Sequence, residues 1–76
     1  MPRPRTTQDP PPRSFGARLQ VAREAQAISQ TTAAKLAGTT QSYWSAVERG
    51  QAQPTIPEAR RMAAAVNRRF RDLILD

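Results

Sequence analysis

The chain is predicted to be all-α, with five short helices following a basic, proline-rich arm, and three observations carry that prediction. Apolar residues recur at spacings of three and four from Phe15 onward. Ser, Thr and Gly stand where helices should start and stop. No segment sustains a period-two alternation or carries a hairpin turn pair, so strands are not expected.

Residues 1–13, MPRPRTTQDPPPR, hold five Pro and three Arg, with no apolar residue after Met1. Proline lacks the amide proton that helices and central strands need, so this segment reads as a disordered or polyproline-like arm. Residues 14–76 form the domain. In SFGARLQVAREAQAI, Phe15, Leu19 and Ala22 make a helical stripe with Ile28 beyond it, and Ser14 is a cap candidate. SQTTAAKLAG starts with a second cap candidate, Ser29, places Ala33, Ala34 and Ala37 on one face, and ends at Gly38, suited to a left-handed turn. Thr40 can cap a third helix that Gly50 ends. Its Trp44 and Val47 share one face, and Gln41, Ser42, Ser45 and Ala46 share the other. The fourth helix opens with TIPE, Thr55 to Glu58, a capping-box pattern with Pro57 in the first turn. Ala59, Met62, Ala63 and Val66 are its apolar stripe. Phe70, Leu73 and Ile74 then suggest a fifth helix.

With 76 residues the chain holds one small domain. It has no Cys and no His, so neither a disulfide nor a histidine metal site is expected, and no cofactor is implied. The absence of Cys fits a cytoplasmic protein. No apolar run approaches the roughly 18 residues of a membrane span, and the basic N-terminus lacks the apolar core of a secretory signal. The six acidic residues are scattered and no Gly-rich phosphate loop is present, which argues against an enzyme. Net charge is +6, and eleven of the twelve basic residues are Arg. That excess suits a polyanionic partner, because neutralising phosphates releases condensed counterions.

The second and third helices, joined by a short turn at AGTT, have helix-turn-helix proportions. Here the sequence resembles the Cro/repressor-type (XRE-like) helix-turn-helix family. The shared positions are Gln30, Ala34, Gly38, Thr40, Val47, Glu48-Arg49-Gly50 and Pro54-Thr55, and the resemblance covers about residues 15–74. It implies a lambda-repressor-like domain whose third helix lies in the DNA major groove. By position, Thr40, Gln41, Ser42, Ser45 and Ala46 are then the base-facing residues. Their chemistry is suitable, since Gln bonds bidentately to adenine and the methyls of Thr40 and Ala46 suit thymine.

The same resemblance implies backbone contacts from Gln30 and Arg49. Tyr43 is left between the phosphates and packing at the domain edge. The loop QAQP is neutral where relatives often carry Lys or Arg, which shifts phosphate affinity toward Arg49 and toward Arg3, Arg5 and Arg13 of the arm. Arg23 and Glu48 match a structural ion pair between the first and third helices. Trp44 is expected to fill volume left by Ala33 and Ala37.

The implied function is a sequence-specific transcription regulator, a Cro-like repressor or autoregulator of a bacterial, phage or other mobile element. It would bind a palindromic operator in double-stranded DNA as a homodimer through Phe70, Leu73, Ile74 and Leu75. The neutral third-helix face and loop leave open a protein partner, with the scaffold serving as an antiactivator or antitoxin.

Overall fold

The computed structural model describes residues 15–74; the arm, the Ser14 cap and Leu75 lie outside them. Four α-helices follow one another: α1 (Phe15–Ala25), α2 (Gln30–Ala37), α3 (Gln41–Glu48) and α4 (Ile56–Ala65). A 3₁₀ helix, Phe70–Leu73, takes the place of the expected fifth α-helix.

The caps explain why these short helices hold. An eight-residue helix is marginal in water, so its ends and its packing decide whether it forms. Ser29 accepts from the Thr32 amide at the start of α2, and Thr40 accepts from the Tyr43 amide at the start of α3. Thr55 and Glu58 form the reciprocal capping box of α4, with Pro57 in the first turn. Gly38 ends α2 at φ 74°, a left-handed conformation that costs a side-chain-bearing residue. Its amide and that of Thr39 close onto the carbonyls of Lys35 and Ala34.

The last segment departs from the expectation because α4 stops too firmly to let a full helix follow. Asn67 turns left-handed at φ 59°, and the Arg68 amide folds back to the Ala63 carbonyl. Beyond this turn, Phe70–Leu73 wind as the 3₁₀ helix. They close with tighter three-residue bonds, Asp72 N–H to the Arg69 carbonyl at 2.9 Å among them.

The apolar stripes meet in one core: Leu19 and Ala22 of α1, Ala33, Ala34 and Ala37 of α2, Trp44 and Val47 of α3, Met62, Ala63 and Val66, and Leu73. Trp44 has no solvent exposure and shares this cluster with Ala33 and Ala37, whose small side chains leave room for the indole. Replacing it by Ala would cost about 3–5 kcal/mol.

A residue that the periodicity did not single out sets how closely α1 meets α3. Gly16 is buried, and a Cβ built on it would sit 1.9 Å from the Val47 carbonyl oxygen. The next nearest atoms, the Val47 carbonyl carbon and Glu48 Cα, are backbone as well, so the contact cannot be relieved without moving a helix. Gly16→Ala is expected to lower stability by about 1–3 kcal/mol, the usual range for overpacking, measured as a reduced urea midpoint.

Candidate nucleic-acid interface

The turn Gly38–Thr40 joins α2 to α3, and the burial of Trp44 and Val47 fixes which side of α3 faces out. Thr40, Gln41 and Ser42 are exposed and Ser45 and Ala46 half-buried, so each of the five expected base-facing residues is at least partly accessible. Thr40 has a second duty, because its hydroxyl caps the helix and is held by the Tyr43 amide at 3.1 Å.

Behind this surface lies one buried carboxylate. The Glu48 side chain is 2% exposed and the Arg23 side chain 12%, and Arg23 Nε donates to Glu48 Oε2 at 2.7 Å. Arg23 Nη2 reaches Glu48 Oε1 at 3.3 Å, completing a two-point fork. Trp44 Nε1 donates to Oε2 at 2.6 Å and Gln30 Nε2 to Oε1 at 2.8 Å. The same Arg23 donates from Nη1 to the Ile28 carbonyl at 2.8 Å, tying down the α1–α2 connection. Burial pushes the Glu48 carboxyl up. Hydrogen bonds from Arg23, Gln30 and Trp44, with the charge of Arg23, more than reverse this and hold it below its ordinary value of 4.5. The Arg23 guanidinium is raised, chiefly by the Glu48 bond, against its own desolvation.

An ionised carboxylate only accepts, and this fixes the direction of the next two amides. Gln30 must turn its nitrogen to Glu48, which leaves its oxygen toward α3. Gln41 Nε2 donates to that oxygen at 2.6 Å. The free edge of Gln41 therefore offers one N–H and one carbonyl oxygen, the pair that matches adenine N7 and N6. Gln30, expected at the phosphates, is thus also the link between the buried charge and the exposed amide.

Two other residues are held by partners within the chain. The Tyr43 hydroxyl donates to Glu58 Oε1 at 3.0 Å, which ties α3 to the capping box of α4. Desolvation first, and then the bond and charge of Glu58, raise the Tyr43 hydroxyl above its ordinary value. Glu58 is lowered, mainly by the Thr55 amide and then by Tyr43. Arg49, placed at the backbone by the resemblance, folds along α3: Nη1 donates to Ser45 Oγ, and Nε to Gln51 Oε1 at 3.1 Å.

Of the residues expected at a dimer contact, Leu73 is buried in the core of its own chain, and Phe70 is half-buried with its ring 6.0 Å from that of Phe15. Ile74 is 42% exposed. Sequence reasoning missed the Trp44 indole bond, Gln51, the double use of Glu58 and the Gln30–Gln41 link. Only the first had a local signal, since Trp44 and Glu48 are four apart on one helix.

Removing the Glu48 charge should leave Arg23 largely buried with only the exposed Glu24 carboxylate, 3.9 Å away, as a counter-charge. Glu48→Gln is expected to cost about 3–5 kcal/mol at pH 7 by urea unfolding. Because the folded carboxyl lies below 4.5, its stabilising contribution is complete above that pH and is lost as pH falls through the lower folded value. The melting temperature of the wild type should therefore fall on acidification in that range, and that of Glu48→Gln should fall less.

Comparison with known proteins agrees with this geometry. A helix-turn-helix domain family model matches residues 14–72. The restriction-modification controller protein C.AhdI from Aeromonas hydrophila, a solved structure, is similar at 38% identity and a TM-score of 0.75, covering 79% of this chain and 87% of that one. A search of curated proteins gave no significant match. Among the described residues no helix is long and apolar enough to cross a membrane. With its family model spanning most of the chain and its two central helices joined by a capped, glycine-containing turn, this protein belongs to the helix-turn-helix domain family of DNA-binding transcription regulators.

Proposed function

We propose that the protein is a sequence-specific, Cro-like repressor and autoregulator that works in the bacterial cytoplasm. The observation that carries this reading is the Gln41 amide, exposed at the start of α3 and turned by Gln30 so that a donor and an acceptor face outward. Thr40, Ser42, Ser45 and Ala46 complete the base-facing surface. Gln30, at the first turn of α2, has one amide hydrogen left for a phosphate, where the helix terminus also favours an anion. Arg3, Arg5 and Arg13 add charge for the backbone. Tyr43 contributes by holding α3 against α4, with its hydroxyl shared with Glu58. The similarity to a restriction-modification controller protein supports a regulatory role.

One short helix reads few base pairs, so useful specificity calls for a homodimer on an inverted repeat, with half-sites about 34 Å apart. Exposed Ile74 directly follows Leu73, which lines an open groove with Val21, Ala25, Arg68 and Asp72. An apolar floor edged by Arg18, Arg68 and Asp72 suits a twofold contact, in which Arg68 of each copy faces Asp72 of the other. Ile74→Glu should yield a monomer by light scattering with an unchanged circular dichroism spectrum, and should weaken operator binding.

Fluorescence anisotropy at about 150 mM salt, on DNA from upstream of its own gene and on a shuffled control, tests the central reading. The native sequence should win by about a thousandfold or more. Gln41→Ala should lose about 1–3 kcal/mol, mainly on that sequence. Equal binding to both DNAs, or none, would contradict autoregulation and favour the protein-partner reading suggested by the neutral QAQP loop.

A further inference from the structure

Gln41, Ser45 and Arg49 stand four residues apart and so rise along one face of α3. An arginine serving only the phosphates would extend away from the helix toward the groove walls. Arg49 instead turns back by one turn to the hydroxyl of Ser45, on the base-facing side. A second partner holds it there. Gln51 Oε1 accepts from Nε at 3.1 Å, and the Gln51 backbone N–H donates to the Ala46 carbonyl at 2.8 Å, which anchors it. Two of the five guanidinium N–H donors are engaged in this way, and three remain for a ligand. Pre-ordering the long side chain removes part of the entropy that binding would otherwise cost.

From this geometry we infer that Arg49 is a base-reading residue, specific for a guanine about two base pairs from the adenine that Gln41 reads, with Gln51 as its positioning residue. A planar fork of N–H donors matches guanine, the one base whose major-groove edge shows two acceptors, O6 and N7. The spacing follows from the helix. Ser45, where the guanidinium rests, is four residues from Gln41, or about 6 Å at 1.5 Å per residue. Base pairs rise about 3.4 Å each, so the two readers meet steps about two apart. The inference rests on the proposed reading that α3 lies in the major groove, and it changes the contact expected of Arg49 from phosphate to base.

The test is selection from a random-sequence duplex pool with wild-type protein, followed by anisotropy on the selected site with its guanine changed to adenine. Arg49→Ala, Arg49→Lys and Gln51→Ala are run beside it, each checked by circular dichroism. The wild type should enrich a guanine about two positions from an adenine and lose roughly 5- to 150-fold in affinity when that guanine is replaced. Arg49→Ala should lose this preference and keep the one for adenine, and Arg49→Lys, whose ammonium lacks the planar fork, should retain only part of it. Gln51→Ala should weaken the guanine preference alone. If sequences are enriched without that guanine, or if Arg49→Ala and Arg49→Lys weaken every site equally, the inference is overturned and the DNA-reading assignment of Gln41 stands. If no sequence is enriched at all, the proposed function falls, and the inference falls with it.

Discussion

The Glu48 carboxylate is the constraint on which the rest of the domain depends. It is buried, ionised and bonded to three side chains that come from three helices: Arg23 of α1, Gln30 of α2 and Trp44 of α3. Buried ion pairs seldom add stability beyond what apolar residues of the same volume would give, because desolvation offsets their attraction. What this one adds is direction. A carboxylate that can only accept imposes an orientation on each donor around it, and through Gln30 that orientation reaches the surface at Gln41.

Size makes such a device useful. Helices of eight residues, as α2 and α3 are, have little intrinsic stability, and a domain this small buries a thin core built largely on alanine. Trp44 supplies much of the missing volume, and its indole nitrogen, which could not be left unpaired inside, is absorbed by Glu48. Gly16 lets α1 approach the end of α3 closely, beside the residue that carries the carboxylate. Packing and polarity thus fix the same end of α3, while the caps at Thr40 and Thr55 hold the starts of α3 and α4.

Much of this was legible in the sequence where a local rule applies. The caps at Ser29, Thr40 and Thr55, the left-handed Gly38 and the apolar stripes depend on near neighbours and were found at their expected places. The Arg23–Glu48 pair, 25 residues apart, came from family resemblance and not from spacing. Contacts between distant segments were not legible: the close approach of Gly16 to Val47, the Tyr43–Glu58 bond and the Gln30–Gln41 link need a tertiary fold to bring them together. The end of the chain was misread for a related reason. The spacing of Phe70, Leu73 and Ile74 suits a helix, but nothing local marks Asn67 as the left-handed stop beyond which Phe70–Leu73 wind as a 3₁₀ turn.

The most direct test of the account is the base preference of Gln30→Met. This substitution leaves Glu48 its bonds to Arg23 and Trp44 and cuts the link to Gln41. Any lost phosphate contact would weaken all sequences alike, so the quantity to measure is the ratio of affinities for the selected operator and for one with the Gln41-facing adenine replaced. The account predicts a folded protein whose ratio falls several-fold toward unity. A ratio equal to that of the wild type would contradict it, and would mean that Gln41 finds its base without direction from the buried charge.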